Sequence, residues 1–365
     1  MATRIIYNNE GILVSSGVAT GAMFSSGTSG TSTLLQIHRV QSLTYDFSVT
    51  RQDVNQFTVL NRIDSIITES PVVNASFNYL LTDGENESKL GLDSLGQNSC
   101  ISKILAKTQD PKNYFFPIAR EGVDLAGDAT PQGVVSLGNA SISNLTFNFA
   151  VGDLPNADVS IQGFNLKFDT GSQNINTPAI NIENGQAVSG RFSLPAITAG
   201  TGVNIISAIK PGDVTLEANA GIGIALSGAN ACPVQSVSIS IPLARESLNK
   251  LGSLFSYAQE PSFPITVTME VSVYQVNLEV ASLSNLLCND QTYNLRVRAK
   301  EPNCQGTGAD TMIFDFKGAK LDSESFSDSI GDVAKTVTLS FSTTIGAGQN
   351  DIGVFISGRR AFNIT

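Results

Sequence analysis

The chain carries one histidine, His38, and four cysteines, Cys100, Cys232, Cys288 and Cys304. A Ser/His/Asp relay would have to run through His38, as would almost any His-ligated metal site. His38 falls at the edge of a predicted strand, where a structural role is the expectation. The cysteines show no C-x-x-C pair and no other short metal spacing, and read as small thiols. The one covalent option is a disulfide between Cys288 and Cys304 across a hairpin. Asp83, Glu85 and Glu87 in DGENE could gather on a divalent cation at a hairpin tip, but they lack the ligand order of an EF-hand and read as a solvated turn. Two S-x-x-K runs, Ser207 to Lys210 and Ser247 to Lys250, have no accompanying Lys-Thr-Gly. Gly200-Thr201-Gly202 and Gly221-Ile222-Gly223 lack the third glycine of a dinucleotide fingerprint, and neither a phosphate-binding G-x-x-x-x-G-K-[ST] nor a G-x-S-x-G elbow occurs. The expectation is a protein with no catalytic residue, no cofactor and no metal, and not an enzyme.

The wider composition points the same way. The 365 residues hold 22 Lys+Arg against 32 Asp+Glu, a net charge of -10, with 32 Gly, 19 Phe and no Trp. A hydrophobic content of 41% is too high for a disordered chain, and 15% charge is too low for a coiled coil. A nucleic-acid clamp needs clustered cations, and an acidic excess opposes it. MATRIIYNNEG has no apolar run of signal-peptide length, and no stretch reaches the ~18 apolar residues of a membrane helix. The protein is expected to be made in a cytoplasm and not to insert in a membrane.

The elements are predicted to be strands. Leu43, Tyr45, Phe47 and Val49 alternate with Ser42, Thr44, Asp46 and Ser48, and Ala75, Phe77, Tyr79 and Leu81 repeat the pattern before the turn Thr82-Asp83-Gly84. Further strands read at 142–151, 158–168, 202–218, 236–243, 264–276, 291–299, 311–317 and 335–343. Short helices or turns are predicted at 51–60, 97–108 and 245–254. The fold class is all-β, sandwich or small barrel, with one or two small helices per half.

An internal repeat organises these strands. Residues 40–60 align without gaps to 234–254, placing Arg51, Asn55 and Leu60 on Arg245, Asn249 and Leu254, and the apolar alternation keeps its phase. A one-residue slip would turn every apolar side chain to the wrong face, so shared phase is a physical correspondence. Ala75, Phe77, Tyr79 and Leu81 then fall on Val267, Met269, Val271 and Val273 at an offset of 192 (267 − 75). Ala140, Ile142, Phe147, Val151, Gly152 and Asp153 fall on Ala319, Leu321, Phe326, Ile330, Gly331 and Asp332 at 179 (319 − 140). The shrinking offset predicts a longer loop around 83–135 in the first copy. The expected division is a Gly/Ser-rich arm over 1–33, a first domain over 34–185 and a second over 186–365. An arm of this composition takes on order only where another domain or subunit holds it.

Four stretches carry a family resemblance: Phe47 to Gly84, Lys210 to Glu217, Val234 to Val271, and Ala140 to Ile161. In pattern and segment order the chain resembles the major tail tube proteins of tailed bacteriophages, over more than half of its length and with no signature motif. The resemblance implies a β-sandwich or small-barrel core with a short helix, six domain copies closing each ring, and rings stacked into the conduit through which the genome leaves the virion. Some long-tailed phages fuse two such domains in one chain and form trimeric, pseudo-sixfold rings, which suits the repeat. It further implies that the segments around Arg51 and Arg245 take equivalent places, and that the arm and the 83–135 segment are candidates for ring-to-ring contact. The partners implied are further copies of the chain, the tape measure, tail terminator and tail-tip proteins, and DNA in transient passage through a virion tail. The alternative reading is another virion or surface β-protein: a tail-tip component, an adhesin or a surface-layer subunit.

Overall fold

Period-two alternation leaves a strand one apolar and one polar face, and the fold stacks the apolar faces. The computed structural model describes residues 11–15, 34–93, 98–119, 124–126, 131–181, 185–199, 208–218, 232–274, 291–301, 308–327, 335–346 and 352–358. In chain order, the first half contains β1 (Ile12–Ser15), β2 (Leu34–Ile37), β3 (Val40–Ser48), β4 (Arg51–Val54), β5 (Asp64–Ile67) and β6 (Val72–Leu80). Helices α1 (Glu85–Leu90) and α2 (Ser102–Leu105) follow, then β7 (Lys112–Ile118), β8 (Gly133–Ala150), β9 (Asn156–Gly163) and β10 (Asn165–Thr170). Four two-residue strands close this half: β11 (Ile175–Asn176), β12 (Ile180–Asn181), β13 (Gln186–Ala187) and β14 (Arg191–Phe192). The second half contains β15 (Val214–Ala218), β16 (Val234–Pro242), β17 (Arg245–Leu248), β18 (Ala258–Pro261) and β19 (Ile265–Tyr274). It ends with β20 (Tyr293–Lys300), β21 (Asp310–Ser327), β22 (Thr336–Ile345) and β23 (Gly353–Gly358). The protein is all-β, and its sheets are antiparallel.

Each half is two sheets sharing one long strand. In the first, β3-β6-β9 pair with residues 141–150 of β8, while β2-β1-β7 and β10 pair with residues 133–140. In the second, β16-β19-β22 pair with residues 320–327 of β21, and β15-β20 and β23 with its first half. The long strands turn the corner in the same way. Asn139 (φ 49°) and Gly318 (φ 69°), at an offset of 179 (318 − 139), take left-handed backbone, and a bulge follows at Ile142/Asn144 and at Leu321/Ser323. Left-handed backbone suits glycine or asparagine. Asn139 is fixed further, accepting from the Ile180 N–H at 2.7 Å through Oδ1.

Strand register sharpens the correspondence between halves. Leu43 faces Phe77 as Val237 faces Val271, both at an offset of 194 (237 − 43, 271 − 77), and each ladder carries a bulge at its start. The second strand of the repeat therefore lies at 194 instead of the expected 192. A slip of this size preserves the alternation, which is why pattern alone could not separate the two. The offset of 179 for β8 and β21 holds at both kink and bulge.

Other expectations are corrected. Residues 51–60 and 245–254 are not helices; each begins a β-hairpin, β4-β5 and β17-β18. Among the described residues of 97–108, only Ser102–Leu105 is helical. The 83–135 segment is no surface loop, because it holds both helices and β7 and buries Leu90, Cys100, Ile104, Tyr114 and Phe116. The arm is not uniform either: β1 sits between β2 and β7 with all four residues buried. A boundary at 185/186 would cut the β12-β13 hairpin, and Thr198 still bonds Gln36, so the first half runs through residue 199. Residues 158–168 split into β9 and β10. Both described α-helices lie in the first half. Their counterpart segment, 275–290, lies outside the described residues, as do 202–207 of a predicted strand and Cys288, Cys304, Gly331 and Asp332.

Candidate functional site: a seam, two open edges and a polar face

The two halves are joined edge to edge. Residues 144–150 of β8 pair with β16, from Asn144 opposite Pro242 to Ala150 opposite Ser236. The join makes one continuous layer of strands in the order β3-β6-β9-β8-β16-β19-β22-β21. At the seam its apolar side is sealed. Leu145, Phe147, Ile239 and Ile241 are all 0% exposed, and Phe147 (tilted) and Phe149 (edge-on) pack against Phe314 of the second half with ring centroids 4.9 and 5.4 Å apart.

Arg245 locks this seam. It stands on β17 just past β16, forms a 2.8 Å ion pair with Asp110 of the first half, and donates from Nε to the Ile142 carbonyl at 3.2 Å. Both side chains are buried, and burial pushes the Asp110 carboxyl above its ordinary value while the guanidinium pulls against it. The rest of the hairpin lies across the first half. Ser70 donates to Asn249 at 3.1 Å and contacts the Ser256 hydroxyl at 2.7 Å, and Lys107 pairs with Glu260.

The sequence counterparts of these groups are bare. Arg51 is exposed on β4, its guanidinium donating locally to the Ser65 carbonyl at 3.3 Å. Asn55, Leu60 and Leu254 stand exposed on the hairpin tips, while Asn249 accepts from Ser70 and Ser256. Ile63, Ile66 and Ile67 of the β4-β5 hairpin are each more than half exposed. Among the described residues, no strand pairs the outer edge of β3 or that of residues 320–327. Those edges present Tyr45 and Phe47 on one side and Phe326 on the other. Gly152 (φ 94°) and Asp153 form the tight β8-β9 turn, a structural position.

The opposite face of this joined layer is polar from edge to edge. Asp158 accepts from Asn78 at 2.6 Å and Asn148 at 2.8 Å, and Asn148 accepts from Ser238 across the seam at 3.0 Å. Asn74 donates to Asp46, Thr44 bonds Ser76, and Ser272 bonds Thr338. Cross-strand side-chain pairs of this kind are the unit of sheet stabilisation. Neither Lys nor Arg occurs in β3, β6, β9, residues 141–150, β16, β19 or β22; Lys320 of β21, opposite Ser342, is the one cation of the layer, whereas Asp46, Asp158 and Glu270 lie on its polar face.

The residues weighed for chemistry are engaged elsewhere. His38 is half-buried between β2 and β3 and clamped at its backbone by the Asn86 side chain; burial and the Lys89 cation lower its pKa. The DGENE carboxylates do not converge, and Glu85 and Glu87 begin helix α1 instead of lying in a solvated turn. Asp83 caps the Glu85 N–H, Glu85 pairs with Lys89, and Glu87 is buried and accepts from the Tyr79 hydroxyl at 2.9 Å. Burial raises the Glu87 pKa to about 7. The Cys100 thiol, also buried, is pushed up to about 12. A surface cleft of about 290 Å³ is bordered by Glu217, Arg296, Asp315 and Lys317, with Arg296 and Asp315 already paired. Comparison of the chain with protein-family profiles and with curated protein sequences finds no match.

Proposed function

We propose that this chain is a structural, non-enzymatic subunit of a bacteriophage tail tube. In this reading three chains bring six sheet-forming units into a ring, and stacked rings form the virion conduit for DNA ejection. One observation carries it: a chain that joins two alike units edge to edge and, among the described residues, has the same two edges unpaired at the ends of its sheet. Such a subunit extends by repeating its own join, and closes when the rotation per unit closes.

The polar face fits the inside of such a ring. Duplex DNA carries about one negative charge per ~1.7 Å of axis, and each cation that met a phosphate would add a salt-dependent grip. A wall of Ser, Thr and Asn with scattered carboxylates and a single lysine, Lys320, offers little such grip. The apolar exposure of Phe57, Leu60, Leu251 and Leu254 on the hairpin tips suits contact with further copies. Tape measure, terminator and tail-tip proteins are the partners this reading entails.

Negative-stain electron microscopy of concentrated protein, with mass photometry, tests it. Hollow tubes built of three-chain, six-lobed rings are the expected result. Closed oligomers of another symmetry that never stack would overturn it in favour of a tail-tip or surface protein.

A further inference from the structure

The seam inside the chain is a template for a seam the structure leaves unmade. Each of its parts has a counterpart at an open edge. β3 matches β16 at the offset of 194, and the end of β21 (320–327) matches the end of β8 at 179. Carrying the β8-β16 register through these two offsets sets Tyr45 opposite Phe326, where Ile239 faces Phe147, and Asp46 opposite Ser325, where Ser240 faces Thr146. The exposures agree with an unfilled joint. Tyr45 and Phe326 are 40% and 56% exposed, against 0% for both Ile239 and Phe147. The arginine has a counterpart as well, since Arg51 stands where Arg245 does relative to its strand. The carbonyl Arg245 bonds is Ile142, the residue before the bulge, whose counterpart before the second bulge is Leu321.

We infer that the β3 edge of one chain receives residues 323–327 of a second copy, with Tyr45 against Phe326, and that Arg51 positions the joint by donating to the Leu321 carbonyl of the neighbour. This rests on the proposed function for its setting but states something narrower: one register, one heterologous contact and one positioning residue. Two substitutions make the joint between chains weaker than the one within. Glu324 replaces Leu145, and Gln291, by its spacing from β20, replaces the Asp110 that neutralises Arg245. A joint of this kind forms when concentration or a template favours it.

The test uses the full chain with Tyr45→Cys and Phe326→Cys together, oxidised at high concentration. Directly opposed positions of an antiparallel pair are close enough for a disulfide, and the next positions along the same face are not. A ladder of disulfide-linked chains ending in a closed species is expected. A mixture of two chains that carry one introduced cysteine each should stop at dimers, with the unsubstituted chain, which keeps the four native cysteines, as the background. No link between chains, or faster linking in the slipped pair Phe47→Cys with Phe326→Cys, overturns the inference, as does a protein that stays monomeric at millimolar concentration. Arg51→Ala should slow linking about tenfold, the loss of one charge-assisted hydrogen bond, with the monomer's melting temperature unchanged. Arg51→Lys should restore part of the rate. Linked closed rings without tubes would keep the seam and remove the tube reading; tubes that do not link would do the reverse.

Discussion

The β8-β16 seam and the β3 edge use closely related residues to opposite ends. At the seam, Phe147, Ile239 and Ile241 are sealed, and Arg245 faces a buried carboxylate. At the edge, Phe47 lies open, Tyr45 is 40% exposed beside the Phe168 ring at 6.3 Å, and Arg51 reaches back to its own hairpin. The hairpins differ in the same sense: β17-β18 rests on the first half, and β4-β5 stands with every residue of β4 exposed. What distinguishes the two is the presence of a partner strand more than residue type. An exposed edge carrying large apolar side chains is an association hazard unless association is the purpose. Fully burying two or three such side chains contributes on the order of 1.5–3 kcal/mol each.

The largest loss of stability is expected at the seam. Arg245→Ala leaves Asp110 buried without its cation and is expected to cost about 3–5 kcal/mol in denaturant unfolding. Arg51→Ala should change the same measurement by less than about 0.5 kcal/mol. Phe147→Ala should likewise cost about 3–5 kcal/mol, while Phe326→Ala leaves the monomer's stability nearly unchanged and impairs self-association in sedimentation velocity.

A smaller effect separates the seam from the helix beside it. Glu87 has a folded pKa of about 7, above the ordinary 4.5, so the folded state holds a proton that the unfolded chain releases. Its contribution is fully present below pH 4.5 and is lost as pH rises to 7. Glu87→Gln, which can still accept from Tyr79, should flatten that decline, on the order of a few kcal/mol, in melting curves across pH 4–8. The smallest change in fold is expected on the polar face. Ser76→Arg and Thr338→Arg should leave melting within about 0.5 kcal/mol of wild type. If the chain assembles into the proposed tubes, those of either variant should retain duplex DNA at low salt and release it as salt rises, in a co-sedimentation assay.

Strands with one buried face were legible in the sequence, because burial imposes the alternation that pattern reading detects. β3, β6, β16, β19 and β22 fall within a few residues of expectation for that reason. The β4-β5 hairpin was not: Arg51, Gln52, Asp53 and Val54 are all exposed, so no apolar period marks them, and the exposed Arg62–Asp53 pair at 3.1 Å spans residues a sequence reading does not connect. β7 was hidden by the opposite cause. KNYFFPI is buried on both faces, and a strand without a polar face shows no alternation. Arg245 was singled out by its match to Arg51, but Asp110 was not, because its role depends on a contact between halves. The open edges had no signal of their own. They became visible only once the matching seam showed what the same residues look like when paired.

The corner at Asn139 and Gly318 has a mechanical consequence. Because β8 and β21 each run without interruption through both sheets of their half, shear between the layers loads a covalent backbone, not just the packing of side chains. Each unit should therefore deform as a block, with stiffness set by its strands. Any bending of an assembly built from such blocks would be taken up at the joints between chains, where Glu324 and Gln291 replace the leucine and aspartate of the inner seam.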